Sequence, residues 1–152
     1  MTRMTAGEAV VEALRAEGVP YVFGILGHTF QFLIDALYDR PDIRFVSNRH
    51  EQGSAFMADG FARASGIPGV CVGTSGPGVC NLITGVYAAY LGHSPMIAMT
   101  GSVSRETVGR DAFQEADHIA MMRPVTKHAI AVSKAERIPE AFPRPLPSRP
   151  LP

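Results

Sequence analysis

The sequence predicts a three-layer α/β domain with a mostly parallel sheet and helices on both faces. Two observations carry this. Short apolar runs alternate with segments of helical periodicity of about ten to fifteen residues, the pattern of βαβ units. Four of the runs end in turns rich in Gly or polar residues, as strands that feed a crossover helix do. A chain of 152 residues suits one domain.

Each element has a local reason. Thr5-Ala-Gly-Glu8 is a capping-box pattern, in which the two side chains satisfy each other's orphan backbone donors. Val10, Val11 and Leu14 follow at helical spacing, and Gly18 with Pro20 ends the helix. Tyr21 to Phe23 is a short strand closed by Gly24. Phe30, Leu33, Ile34 and Leu37 form one apolar stripe on a second helix, which Pro41 stops. Ile43 to Ser47 is a strand, and His50 to Ser65 a helix lined by Ala55, Ala58 and Ala62, small enough to lie close on a sheet. Val70 to Gly73 is the third strand, Val79 to Leu91 an uncharged helix, and Pro95 to Thr100 the fourth strand. A polar stretch from Gly101 to Asp117 leads to a weaker helix near His118 to Met122. Lys127 to Val132 is expected to be a fifth strand, and a last helix starts near Ala135. Residues 1–142 thus form the domain. Residues 143–152 hold five prolines in ten positions, and are expected to be an extended or disordered, aberrant tail.

Composition narrows the function classes. Fourteen Lys and Arg balance fourteen Asp and Glu. A neutral chain lacks the electrostatic footprint of nucleic-acid binders and the basic clusters that hold a membrane surface. From Ala64 to Ser104 there is no charged residue, but Gly, Pro, Ser, Asn and His interrupt the run too often for a membrane span. Such a stretch is expected to be buried in a core, a site or an interface. Met1 to Arg15 has no apolar segment of signal-peptide type, so a cytoplasmic protein is expected. Cys71 and Cys80 make no disulfide framework and read as buried thiols. The helix from Val79 to Leu91 lacks a polar stripe, which predicts an exposed apolar patch and self-association.

In a parallel α/β sheet, ligands bind beyond the carboxyl ends of the strands. The segments there are Gly24 to Thr29, Asn48 to Gln52, Gly73 to Gly78 and Thr100 to Ser104. Gly73 to Gly78 opens a helix and is either an anion cradle, as in a stand-alone flavodoxin-like module for a phosphate-bearing ligand, or a tight turn. It is neither a GxGxxG nor a Walker loop. Glu51 lies in the first turn of a helix, where the dipole alone accommodates a carboxylate. Arg49 beside it is a salt-bridge partner or a loop charge. The five histidines show no ligand spacing, and position 54 is Ser, so His50-Glu51 does not open an HExxH motif. No side-chain metal site is expected.

Val22-Phe-Gly-Ile-Leu-Gly27, Arg49-His-Glu-Gln52, Ala58-Asp-Gly-Phe-Ala-Arg63, Gly73-Thr-Ser-Gly-Pro-Gly-Val-Cys-Asn81, Ser94-Pro95 and Asp111-Ala-Phe-Gln-Glu115 stand in a telling order and spacing. Together they resemble the pyrimidine-binding domain of thiamine diphosphate enzymes, acetolactate synthase-like, over about residues 4 to 142. The resemblance implies that Glu51 hydrogen-bonds the pyrimidine N1′ and promotes the imino tautomer whose exocyclic nitrogen takes the thiazolium C2 proton. It further implies Gly27 and His28 near the thiazolium and substrate, and Gly76, Pro77 and Asn81 near the pyrimidine. Phe113 and Gln114 match a loop that meets the catalytic centre of a neighbouring subunit.

Leu26 stands where the family usually has proline, and His28 where acetolactate synthases usually have a small residue. Decarboxylases and lyases of the family vary most there, which makes a related 2-keto acid decarboxylase or lyase the alternative. The intact enzyme is expected to act on a 2-keto acid as a homo-oligomer. The resemblance also implies magnesium held by a separate diphosphate-binding domain with a Gly-Asp-Gly motif, and FAD as an option in the intact family enzyme. These 152 residues contain no Gly-Asp-Gly. They are expected to be an inactive half of an active site by themselves.

Overall fold

Thr5 accepts the Glu8 backbone N–H while the Glu8 carboxylate accepts the Thr5 N–H, so the capping box forms and starts α1 (Ala6–Ala16). This is the first element of the computed structural model, which describes residues 4–142. β1 (Tyr21–Gly24), a 3-10 turn at His28–Phe30 and α2 (Gln31–Tyr38) follow, then β2 (Arg44–Ser47), α3 (Glu51–Ser65), β3 (Gly69–Gly73), α4 (Pro77–Leu91) and β4 (Met96–Thr100). α5 (His118–Met122) comes after a long loop, and α6 (Ile138–Ala141) ends the described chain.

All four strands are parallel, in the order β2-β1-β3-β4. Strand alternation sorts the core into two layers. Val22, Val70 and Val72 point to the face covered by α1 and α2, where Val11, Leu14, Leu33 and Leu37 meet them. Phe23 and Cys71 point to the other face, against Ala55 and Ala58 of α3, Val79, Leu82 and Val86 of α4, and Met122 of α5. The small residues of α3 act as expected: Ala55, Ala58 and Ala62 are buried, and Gly69 lies against the Ala58 carbonyl. Gly85 gives α4 the same closeness to α3, since a Cβ there would come within 2.5 Å of the Ala55 Cβ.

The expected fifth strand is absent. Lys127 to Val132 joins no sheet, and β4 is the edge among the described residues. Ile130 and Val132 remain exposed, so the segment has no buried face for its β-branched residues to fill, and propensity alone does not make a ladder. Both cysteines are free, as expected, but only Cys71 is buried; burial pushes its thiol up to about 12. Cys80 is exposed because α4 buries Val79, Leu82, Gly85, Val86 and Ala89 and turns Cys80 away. The expected disordered proline tail lies outside the described residues. Among those residues, no helix is long and apolar enough to cross a membrane.

Candidate functional site

The sheet winds outward in both directions from the β1–β3 pair, which leaves a crevice at their carboxyl ends. The loops after β1 and β3 meet there. Thr29 and Thr74 share a hydrogen bond between hydroxyls at 3.1 Å. Gly27 caps the 3-10 turn directly over Thr74, and a Cβ on it would reach the Thr74 side chain at 2.9 Å. His28 is exposed at the start of that turn, with its ring 6.3 Å from Phe113. An open cleft of about 470 Å³ runs from Leu26, Gly27 and His28 along α2 to Asp35 and Tyr38.

Glu51 arrives from another direction, as the first residue of α3. Its helix end is braced locally: the His50 ring accepts the Gln52 N–H at 3.2 Å, Asn48 accepts the His50 N–H, and the Asn48 amide donates to the buried Ser54 hydroxyl. Glu51 is only 8% exposed. One carboxylate oxygen, Oε2, accepts from Asn81 Nδ2 at 3.0 Å. The other, Oε1, faces Gly78, where a Cβ would stand 3.2 Å away. Arg49 is exposed and makes no ion pair among the described residues, so it is the loop charge of the two readings.

Gly76, Pro77 and Gly78 form the turn into α4. Gly76 has φ 64° and ψ −109°, a conformation open to glycine, and a Cβ there would sit 2.7 Å from the Gln114 carbonyl oxygen. That carbonyl accepts the Ser75 hydroxyl at 2.7 Å, which ties the Phe113–Gln114 loop to the turn. Gln114 itself takes a positive φ of 63°, and its side-chain oxygen is buried without a partner among the described residues. Phe113 is 79% exposed. The base of this loop is pinned by Glu115, whose carboxylate accepts the Gly109 and Ala112 N–H groups and is thereby held below its ordinary value.

The structure therefore brings Glu51, Asn81 and Gly78 together, joins Gly76 to Gln114, and sets His28 beside Phe113. Pro77 is exposed at the first turn of α4. Sequence reasoning missed His118. Its Nε2 accepts the Gly76 N–H at 3.0 Å and its Nδ1 lies 3.1 Å from the Thr100 hydroxyl. Burial lowers its pKa, against the opposing charge of Asp117. The bond to His118 also takes a donor that an anion cradle at Gly73 to Gly78 would need. No three His, Cys, Asp or Glu gather as a metal site among the described residues.

Comparison with known proteins supplies the family. Residues 4–121 match the thiamine pyrophosphate enzyme, N-terminal TPP binding domain. A probable acetolactate synthase large subunit of Methanocaldococcus jannaschii is 51% identical over 139 residues, covering 91% of this chain and 23% of the relative. The Escherichia coli acetolactate synthase isozyme 2 large subunit is 47% identical, over 91% of this chain and 26% of its own length. Chloroplastic acetolactate synthase 2 of Nicotiana tabacum is 46% identical, over 89% and 21%. The chain spans about a quarter of the length of these relatives. With its parallel three-layer fold, it belongs to the N-terminal TPP-binding domain family of thiamine pyrophosphate enzymes and is acetolactate synthase-like.

Proposed function

We propose that this domain holds the pyrimidine end of thiamine diphosphate in an acetolactate synthase-like enzyme, with Glu51 as its catalytic carboxyl. The reaction is decarboxylation of a 2-keto acid and transfer of the retained fragment to an acceptor. The single observation that carries the reading is the Glu51 carboxylate: buried, held on one oxygen by Asn81, and, among the described residues, without a partner on the other. A ring nitrogen that exchanges a proton with a carboxyl suits that arrangement, and Gly78 keeps the space beside Oε1 clear. The buried Gln114 amide oxygen, without a partner among the described residues, offers a second acceptor to a bound molecule.

Thiamine diphosphate, when bound, supplies the electron sink for decarboxylation; position and polarity are left to the protein. Asn81 fixes Oε2 as an acceptor, so the proton is exchanged at Oε1. Gly27 and Gly76 bring backbone close to the cofactor, and Pro77 stiffens the turn into α4. His28 and Phe113, both exposed at the strand ends, border the substrate. Magnesium, the diphosphate and any FAD are assigned to other parts of the enzyme. The exposed face of α4, with Tyr87, Tyr90 and Leu91, supports a homo-oligomer. Residues 1–142 make up the domain, and a cytoplasmic location accords with its composition.

A chimera tests the reading. Residues 4–142 replace the matching segment of the Methanocaldococcus jannaschii relative, and acetolactate formation from pyruvate is measured. Turnover in the chimera, and none in the 152-residue polypeptide alone, is expected. A folded chimera that binds thiamine diphosphate but leaves pyruvate untouched would refute it.

A further inference from the structure

We propose that His118 is a positioning residue: its ring, protonated on Nδ1, clamps the Ser75–Gly76 turn to the end of β4 and so sets where α4 presents Asn81 to Glu51, and protonating the ring opens the clamp. The link from Asn81 to chemistry rests on the proposed role of Glu51; the clamp itself does not.

The hydrogen bonds determine the tautomer. Gly76 N–H points at Nε2 at 3.0 Å, so Nε2 carries a lone pair. The Thr100 hydroxyl donates to the Gly101 carbonyl at 2.8 Å, which leaves its oxygen to accept from Nδ1 at 3.1 Å. Only the neutral ring with its proton on Nδ1 satisfies both. A second proton would set an N–H at Nε2 against the Gly76 N–H, two donors where a bond had been.

The turn has few other anchors. Gly76 gives α4 no side-chain cap, and Pro77 contributes no N–H. The Ser75 hydroxyl, buried and 3.4 Å from Nε2, is already committed to the Gln114 carbonyl. What holds the turn is therefore His118 on one side and the Phe113–Gln114 loop on the other. Five residues beyond Gly76, on the first turns of the same rigid helix, stands Asn81, which grips Glu51.

The ring's charged surroundings are sparse. Ser75, Gly76, Thr100 and Gly101 bring it no ionisable side chain. α4 presents the Cys80 thiol to Met121, three residues along α5. Glu115 in the preceding loop is spent on Gly109 and Ala112, and Asp117, the α5 cap, is the carboxylate that favours the charged ring. Burial outweighs it, so the clamp is closed at neutral pH and opens on mild acidification.

The test uses the 152-residue chain, labelled with nitrogen-15, and needs no cofactor, so it stands or falls separately from the proposed function. Long-range proton–nitrogen spectra at pH 7.5 are expected to show His118 as the Nδ1–H tautomer. Gly76 amide exchange, corrected for its intrinsic rate, should quicken about tenfold as the ring gains its proton, the scale of one lost hydrogen bond. The Asn81 side-chain resonances should shift in step. In His118→Gln the amide oxygen replaces Nε2 without titrating, and Gly76 should stay protected at every pH. In His118→Leu it should exchange about tenfold faster throughout. An Nε2–H tautomer, an unchanged acid dependence in His118→Gln, or Asn81 resonances that stay still while Gly76 opens would each overturn the proposal. The wild-type tautomer and the Gln variant decide the matter even where His118→Leu does not fold.

Discussion

Asn81 Nδ2 donates to Glu51 Oε2 at 3.0 Å, across thirty positions of sequence and between the N-terminal ends of two different helices. The pair exists because α3 and α4 lie unusually close, with Gly85 against Ala55. A carboxylate set on one helix is thus oriented by an amide set on the next, and each is fixed by the strand that precedes it.

Removing that amide should cost stability. Asn81→Ala leaves a buried carboxylate oxygen without its donor, a loss of about 1–3 kcal/mol. Urea unfolding of the wild-type and variant chains measures it. A difference below about 0.5 kcal/mol would mean that water replaces the amide freely.

Two glycines with similar φ should respond differently to alanine. Gly18, at φ 69°, has open space where a Cβ would go, so Gly18→Ala pays only the left-handed cost of about 1–2 kcal/mol. Gly76→Ala adds a ψ of −109° and a contact of 2.7 Å with the Gln114 carbonyl oxygen, and should lose clearly more. Matching losses in thermal unfolding would show that the Gln114 loop gives way easily.

Asp59 should make the fold sensitive to acid. Burial opposes its charge, but Arg63, with Nε at 2.9 Å, and the Ser94 side chain together outweigh this and hold the carboxyl below its ordinary value. A depressed carboxylate contributes stability above its unfolded pKa, near 3.8, and loses it as pH falls through the lower folded value. Urea midpoints measured from pH 6 to pH 2 should therefore fall on the acid side, and less steeply in Arg63→Met. Identical slopes in the two proteins would remove Arg63 as the cause.

The surface of α4 predicts association. Tyr87 and Tyr90 stack with centroids 6.4 Å apart, and Leu91 is 61% exposed; Phe56 on the adjoining α3 is exposed as well. Apolar surface of this kind marks an interface. Sedimentation should show a dimer or larger species, and Tyr87→Glu with Leu91→Glu should shift it to monomer. A dilute monomeric wild-type chain that binds no hydrophobic dye would contradict this.

Much of the fold was legible because periodicity reports burial. The Val22/Phe23 alternation and the Ala55-Ala58-Ala62 stripe each name a face, and those faces are the two core layers. Lys127 to Val132 misled because its β-branched residues imply a strand only where a neighbour offers a buried face. Cys80 misled in the same way, read from its neighbours in sequence and not from its side of the helix. Of the candidate site, Glu51 and Gly76 were visible as helix-start and strand-end chemistry, and Asn81 only through the family resemblance. His118 was not. Its bonds reach back 42 positions to Gly76 and 18 to Thr100, and only the folded sheet brings those ends to one ring.

The central claim is that Glu51 moves the proton that activates the cofactor. The measurement is deuterium exchange at the thiazolium C2 in the chimeric enzyme loaded with thiamine diphosphate, comparing Glu51 with Glu51→Gln. Gln keeps the size of the side chain and an acceptor for Asn81 but has no proton to exchange. The exchange rate is expected to fall by about 10²–10⁴-fold, the usual contribution of a positioned acid–base group. Exchange within about twofold of the unsubstituted chimera, with cofactor binding intact, would contradict a catalytic role for Glu51.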